Sequence, residues 1–186
     1  MESTVNHITP TDWKFDINRL VRDVTSLLGN HSFNSNNPPN QISLTSRPSA
    51  SVPIHDGVGS LYDFEKQEFF ATESEFTVFN KEFKGTYLEH IYDTINAVDK
   101  LGRVRLMRLP PRRCYSLHRD TEVRYHMAIT TNESCFIMYK GIPAYHIPAD
   151  GIVYRMDASE YHTALNSDKS DDRIHLVFNS TSRIKR

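Results

Sequence analysis

Two side chains that can bind a metal, those of His118 and Asp120, stand two positions apart in the stretch from Cys114 to Ile129. On an extended strand, residues i and i+2 point to the same face, so this imidazole and this carboxylate would converge on one point. They would supply two of the three ligands of the two-histidine, one-carboxylate site that holds iron(II) and leaves coordination positions open. A His-x-Asp pair alone is a weak signal, so the prediction needs a third ligand.

A second cluster, from Tyr161 to Asn166, contains a histidine that can complete the site. We predict that His162 is the third ligand. Imidazole and carboxylate donors suit iron(II), and three protein ligands leave three octahedral positions free. The sequence therefore predicts one divalent metal ion bound by His118, Asp120 and His162.

Arg173 opens a predicted strand over residues 173–179, in which Ile174, Leu176 and Phe178 share one apolar face. The two faces of this strand cannot both be exposed to solvent near its start, so Arg173 is predicted to point into the interior. A buried guanidinium needs an anionic partner. That partner is either an internal Asp or Glu, or a bound carboxylate, which the planar fork can hold with two hydrogen bonds.

Arg124 and His126 have the same parity as His118 and Asp120, and are predicted to line the same cavity. The residues of the other parity suit an outer face that packs against a second layer: Val123, Tyr125, Met127 and Ile129. A turn just before this strand could instead reset the faces and expose Arg124 and His126. The sequence leaves that alternative open.

At these residues the sequence resembles the iron(II)/2-oxoglutarate-dependent oxygenases, and more narrowly their aspartyl/asparaginyl β-hydroxylase-like branch. The resemblance covers about residues 103–179. It rests on His118-Arg119-Asp120, on Arg124-Tyr125-His126, and on Tyr161-His162-Thr163-Ala164-Leu165-Asn166 with Arg173-Ile174-His175-Leu176-Val177-Phe178. It implies a mainly β fold with flanking helices, the double-stranded β-helix, which is a cupin-like jelly roll.

The resemblance also implies roles for the site residues. The first two predicted metal ligands would come from near the second core strand and the third from the seventh. Arg173, on the eighth, would bind the distal carboxylate of 2-oxoglutarate, and Arg124 and His126 would contact this cosubstrate as well. The role of His175 is ambiguous from the sequence, and a position beside Arg173 is one interpretation. The implied reaction is hydroxylation of a protein, peptide or amino-acid side chain by O2, with oxidative decarboxylation of 2-oxoglutarate to succinate and CO2.

Asp120 and Asn179 bear on the type of reaction. Some members of this branch replace the metal-binding carboxylate with glycine, which frees a position for halide, so Asp120 favours hydroxylation over halogenation. The nucleic-acid-oxidising branch carries a second arginine six positions after the first, where this chain has Asn179, and a nucleic-acid substrate is not predicted. The other alternative is a non-catalytic cupin that binds a metal or ligand. The inward cations Arg124 and Arg173 count against a simple metal store.

The charges of the chain are nearly balanced, with 22 Lys and Arg against 23 Asp and Glu among 186 residues. This balance gives no overall attraction to nucleic acid or to an anionic membrane. The chain has no apolar run of about 18 residues, and the opening residues do not resemble a signal peptide. Its two cysteines, Cys114 and Cys135, form no disulfide framework. A reducing, cytoplasmic location is therefore predicted.

The length predicts a single domain, with N-terminal helices and loops in residues 1–100 packed on a β-helix core in residues 101–186. Thr11 is the predicted N-cap of a first helix that ends near Gly29. A second helix is predicted from Thr86 to Asp99. Its predicted buried stripe comprises Leu88, Ile91, Ile95 and Val98. Loops are predicted over Asn30–Asn40 and Pro48–Gly59.

Alternating patterns predict many short strands, typical of a closed sandwich or barrel. They are Gln41–Ser46, Val104–Leu109, Tyr115–His118, Val123–Thr130, Ser134–Tyr139, Ala144–Ile147, Gly151–Met156, Thr163–Leu165 and Arg173–Asn179. Five arginines crowd the first part of this region: Arg103, Arg105, Arg108, Arg112 and Arg113. Because arginine is mostly exposed, a solvated face is predicted for them rather than a basic patch.

Overall fold

The computed structural model describes residues 6–33 and 40–183. The first five residues and most of the predicted Asn30–Asn40 loop lie outside this part. The described helices are α1 (Ile17–Asn30) and α2 (Tyr87–Asn96), with short 3-10 helices at Pro53–His55, Glu73–Glu75 and Lys81–Phe83. The described strands are β1 (Ile8–Lys14), β2 (Gln41–Ser43), β3 (Thr45–Ser46), β4 (Tyr62–Asp63), β5 (Glu68–Phe69), β6 (Val78–Phe79), β7 (Leu101–Leu109), β8 (Arg113–Cys114), β9 (Glu122–Thr130), β10 (Cys135–Tyr139), β11 (Ile152–Met156), β12 (His162–Asn166) and β13 (Arg173–Arg183).

Two antiparallel sheets make up the body of the protein. The larger has the strand order β1-β11-β9-β13-β7-β2, and the smaller has the order β10-β12-β8. The inner face of the larger sheet packs against the smaller one through apolar residues that include Leu109, Ala128, Ile137 and Ala164. Its outer face is covered by α1 and α2. This architecture is the predicted double-stranded β-helix with flanking helices.

Strand alternation sends apolar residues to the helices and polar residues to the space between the sheets. In β9 the outer residues are Val123, Tyr125, Met127 and Ile129, and in β13 they are Ile174, Leu176 and Phe178. Arg173, His175 and Asn179 lie on the inner face of β13 and are buried. The face assignments of both strands agree with the prediction from the sequence.

The predicted start of the first helix is wrong. Thr11 lies in β1, which pairs with β11, and its hydroxyl donates a hydrogen bond to the carbonyl of Val153 at 2.8 Å. Pro10 is compatible with this strand because β1 is at the edge of the sheet, where a missing backbone donor is tolerated. Helix α1 begins after Asp16, whose carboxylate accepts a hydrogen bond from the backbone N–H of Arg19. Gly29 is close to the observed end of α1 at Asn30.

Other element predictions need smaller corrections. Helix α2 ends at Asn96, so Val98 lies beyond it and is exposed rather than part of the buried stripe. Residues 115–118 do not form a continuous strand, because only His118 makes a bridge there, with His162. Similarly, the predicted strand near Ala144–Ile147 is reduced to a single bridge between Ile137 and Tyr145. The division of the chain at residue 100 stays a prediction.

The prediction of a solvated arginine face is wrong for Arg103 and Arg105, which are buried on the inner side of β7. Arg103 forms an ion pair with Glu73, with Nη2 at 2.6 Å from Oε1. Gly102 permits this pair, because a Cβ there would lie 2.2 Å from the Glu73 carbonyl oxygen. Burial alone would raise the pKa of Glu73, but the Arg103 charge and hydrogen bonds outweigh it, and the pKa is lowered.

Replacing Glu73 with glutamine is expected to destabilise the protein by about 3–5 kcal/mol, since it leaves the Arg103 charge buried without its partner. Chemical denaturation measures this change in the free energy of unfolding. Glu65→Gln is the matched control, because Glu65 is exposed, and it should change stability by less than about 0.5 kcal/mol. Equal effects of the two substitutions would contradict a stabilising role for the buried pair.

Candidate active site

The three predicted metal ligands converge in the space between the sheets. One donor atom from each of His118, Asp120 and His162 lies within 4.8 Å of the other two. Asp120 Oδ2 is 3.7 Å from His118 Nε2 and 3.6 Å from His162 Nε2. The sequence thus identified three residues that the fold brings together from two separate segments.

Backbone hydrogen bonds bring the ligands together. His118 and His162 exchange N–H···O=C bonds at 3.0 and 2.8 Å, which places the two residues opposite each other. The backbone N–H of Asp120 donates to the carbonyl of Ala158 at 2.8 Å. The convergence of His118 and Asp120 was predicted from a regular strand, but these three backbone hydrogen bonds to a distant segment produce it instead.

Each histidine is oriented by a hydrogen bond from its other ring nitrogen. Nδ1 of His118 lies 2.7 Å from the carbonyl of Ser116, and Nδ1 of His162 lies 2.9 Å from that of Glu160. A carbonyl only accepts, so each Nδ1 carries a proton, and in a neutral imidazole Nε2 then presents a lone pair toward Asp120. Burial lowers the pKa of His162 to about 4, which keeps this imidazole neutral at pH 7.

The Asp120 carboxylate forms an ion pair with one cation. Its Oδ1 lies 2.7 Å from Arg124 Nη2. Its Oδ2, which faces both histidines, is buried and has no hydrogen-bond partner among the described residues. With both imidazoles neutral, two lone pairs and a carboxylate oxygen point at one another with no proton between them. A divalent cation satisfies this arrangement, so the residues fit the predicted iron(II) site.

The ligands open onto a cavity of about 530 Å³. Arg173 lines this cavity and is 3 % exposed. Its Nη2 lies 3.0 Å from Nδ1 of His175, which places His175 beside Arg173. Burial lowers the pKa of Arg173 to about 10, still well above neutral pH, so the guanidinium remains charged. Within the described part of the chain, no carboxylate forms an ion pair with it.

Tyr115 is a cavity residue that the sequence reasoning missed. Its hydroxyl is buried and has no hydrogen-bond partner in the described structure. Burial raises the pKa of Tyr115, and the nearby Arg173 charge opposes that rise. A tyrosine hydroxyl and a guanidinium close together are suited to hold one carboxylate. No sequence signal separated Tyr115 from the chain's other tyrosines.

Arg124 and His126 both line the cavity, so the alternative in which a turn exposes them is wrong. His126 is 7 % exposed, and neither of its ring nitrogens has a hydrogen-bond partner among the described residues. Burial, followed by the nearby charges of Arg173 and Arg124, lowers the pKa of His126 well below its usual value. Nη2 of Arg124 contacts the Asp120 carboxylate, while Nε of Arg124 has no hydrogen-bond partner within the described residues.

A comparison with protein-family models decides the family. The model of the aspartyl/asparaginyl β-hydroxylases matches residues 25–182, which is most of the chain. The chain belongs to the aspartyl/asparaginyl β-hydroxylase family. This membership makes it a 2-oxoglutarate-dependent hydroxylase, and iron(II) and 2-oxoglutarate follow as the cofactors of the family. A comparison with curated protein sequences finds no match.

Solved structures share the fold of this family member at low sequence identity. The viral collagen prolyl hydroxylase of Paramecium Bursaria Chlorella virus-1 has a TM-score of 0.52 and 8% identity, over 95% of this chain and 96% of that one. A 2OG-Fe(II) oxygenase family oxidoreductase from Burkholderia pseudomallei has a TM-score of 0.51 and 12% identity, over 94% and 84%. A Pseudomonas putida prolyl-4-hydroxylase has a TM-score of 0.50 and 10% identity, over 95% and 92%.

No helix within the described residues is both long and apolar enough to cross a membrane.

The buried histidine beside Arg173 predicts a pH dependence of stability. Burial lowers the pKa of His175 well below 6.5. Between that folded value and 6.5, the unfolded chain takes up a proton that the folded protein does not, so stability falls as pH falls. The measurement is made in the presence of a metal chelator. There, His175→Gln should make the decline in the free energy of unfolding between about pH 6.5 and 5 shallower by up to about 1.4 kcal/mol per pH unit. Denaturation at several pH values measures this slope. An unchanged slope in His175→Gln would contradict this prediction.

Proposed function

We propose that this hydroxylase acts on a side chain of a protein, peptide or free amino acid, with iron(II) and O2. In the proposed reaction, 2-oxoglutarate is decarboxylated to succinate and CO2 as the substrate is hydroxylated. The main support is the convergence of two imidazole lone pairs and one carboxylate oxygen beside a cavity with buried cations. When bound, the metal and its cosubstrate supply the oxidising chemistry, and the protein positions and shields the reactants.

The protein groups have distinct tasks in this proposal. His118, Asp120 and His162 hold the metal, and Arg124 orients Asp120 through its 2.7 Å contact. Because the chain keeps this carboxylate, we propose hydroxylation rather than halogenation. The apolar walls of the cavity, which include Ile137, exclude water from the reacting groups.

Separate groups would bind the two ends of 2-oxoglutarate. Arg173 would hold the distal carboxylate with two hydrogen bonds, and the hydroxyl of Tyr115 would donate a third. His126, with Nε of Arg124, would contact the carboxylate nearer the metal. Both His126 nitrogens and the Arg124 Nε are buried and otherwise without partners in the described structure. We also propose a reducing, cytoplasmic location, with which the free thiols of Cys114 and Cys135 are compatible.

The reaction is tested by incubating the iron-loaded protein with 2-oxoglutarate and O2, with and without candidate peptides and amino acids. We expect succinate to form in step with a product that is one oxygen atom heavier than its substrate. His162→Ala is the inactive control. If the wild-type protein binds metal but forms no more succinate than this control with any candidate, the non-catalytic binding protein becomes the better interpretation.

A further inference from the structure

Arg105 is a buried cation without a counter-ion in the cavity. It is 2 % exposed, and no carboxylate of the described residues forms an ion pair with it. Its donors reach only neutral oxygens among the described residues: Nη1 donates to Gln41 at 3.2 Å and to the Gly59 carbonyl at 3.4 Å, Nη2 donates to Asn179 at 3.1 Å, and Nε has no partner. Its neighbour Arg103 has its own carboxylate in Glu73. A buried charge without an ion-pair partner is costly, so this arrangement indicates an anionic ligand.

Arg105 and Arg173 occupy different parts of the cavity. In the register between β7 and β13, Arg105 pairs with Val177, four residues along the strand from Arg173. That spacing separates their backbones by roughly 13 Å. The charges nearest Arg105 belong to Arg103, Glu73, Arg124 and Asp120. Arg173 instead lies near Tyr115 and Cys135.

The cosubstrate does not account for the charge of Arg105. In the proposed function, one carboxylate of 2-oxoglutarate lies on Arg173 and the other lies beside the metal. The Glu73 carboxylate forms its ion pair with Arg103. The Asp120 carboxylate forms an ion pair with Arg124 and, in the proposed function, binds the metal. Among the described residues, Arg105 is thus a cavity cation with no anion as its ion-pair partner. It lies on the side of the cavity away from Arg173.

The cavity mouth next to Arg105 is apolar. The carbonyl oxygen of Gly59 accepts hydrogen bonds from Arg103 and Arg105. The following hairpin, formed by β4 and β5, contributes Phe64 and Phe69 to the cavity lining. These two side chains are 78 % and 71 % exposed, and each packs edge-on against Tyr62 with ring centroids 5.1 Å apart. Large exposed aromatic groups at a cavity mouth favour an apolar occupant.

We propose that Arg105 binds a carboxylate of the substrate, and that the substrate is a small carboxylate with an apolar body covered by Phe64 and Phe69. This inference rests on the proposed function, because it places the substrate beside the metal and 2-oxoglutarate. It narrows the substrate to molecules with a free carboxylate close to an aliphatic or aromatic group. The planar guanidinium gives the acid two charged hydrogen bonds that a neutral amide cannot match.

The test compares matched acids and amides as ligands of the manganese-loaded protein with 2-oxoglutarate. The probes are 4-methylpentanoate, 3-phenylpropanoate and L-leucine, each against its primary amide, with dissociation constants measured by ligand-detected NMR. We expect at least one acid to bind the wild type about tenfold or more tightly than its amide. Arg105→Met should remove this preference, and Arg105→Lys should retain part of it. The exposed-residue control Arg155→Met should behave as wild type.

A second readout separates this inference from the proposed function. In Arg105→Met, the dissociation constant for 2-oxoglutarate should change less than about twofold, and metal affinity should be unchanged. The inference is wrong if no acid is preferred by the wild type, if the preference survives in Arg105→Met, or if that variant loses 2-oxoglutarate binding. If Arg105→Met does not fold, Arg105→Gln replaces it. If the wild-type protein does not bind 2-oxoglutarate at all, the proposed function fails. The preference for acids over amides can still be measured in the absence of 2-oxoglutarate.

Discussion

Replacing His162 with alanine is expected to abolish tight divalent-metal binding. The substitution removes one of three donors and leaves His118 and Asp120 as an incomplete pair. Because loss of a group that merely supports a ligand costs about 10–100-fold in metal affinity, loss of the ligand itself should cost more than about 100-fold. Titration with iron(II) under anaerobic conditions, or with manganese(II), measures the effect.

Two further variants control this experiment. His162→Gln keeps most of the side-chain volume and should also lose tight binding, which separates loss of the ligand from a packing defect at this buried position. His55→Ala changes an exposed histidine and should bind metal as the wild type does. Wild-type affinity in folded His162→Ala would refute the assignment of the third ligand.

Replacing Arg173 with alanine is expected to raise the concentration of 2-oxoglutarate needed for half-maximal succinate formation by about 100-fold or more. The estimate follows from the loss of two charge-assisted hydrogen bonds at about 1.5–3 kcal/mol each. Metal affinity should stay nearly unchanged, because Arg173 is not a metal ligand. Arg173→Lys should recover only part of the loss, since an ammonium group cannot make the planar two-point contact.

The same requirement for 2-oxoglutarate is measured in Arg155→Ala as the control, because Arg155 is exposed. If Arg173→Ala needs the same concentration of 2-oxoglutarate as the wild type, Arg173 does not bind the cosubstrate. Its role would then be structural, as part of the cavity wall. A parallel loss of metal binding would instead indicate that the substitution distorts the whole site.

Much of the site was predictable because strand alternation is local. The apolar residues Val123, Met127 and Ile129 indicate which face of β9 packs outward, and this fixes Arg124 and His126 on the inner face. The same reasoning places Arg173 on the inner face of β13. Strand alternation does not predict that His118 pairs with His162. For that pair, the resemblance of the chain's motifs to those of the oxygenase family indicated that the two residues belong to one site.

The errors arose where distant partners override local patterns. Thr11 looks like a helix cap, but the residues around it gain a strand partner in β11, which lies far along the chain. Arg103 and Arg105 follow the usual expectation for exposed arginine. Their burial depends on Glu73 for the first, and on Gln41 and Asn179 for the second. Such long-range polar contacts leave no periodic signal in the sequence.

One metal ion, held by the three converging ligands, is expected to create the binding site for 2-oxoglutarate. Isothermal titration of 2-oxoglutarate into the wild-type protein, with manganese(II) bound and after metal removal by a chelator, tests this most directly. We predict binding of one equivalent to the metal-loaded protein, and binding at least about tenfold weaker without metal. Equal affinity in the two states, or no binding to the metal-loaded protein, would contradict the account.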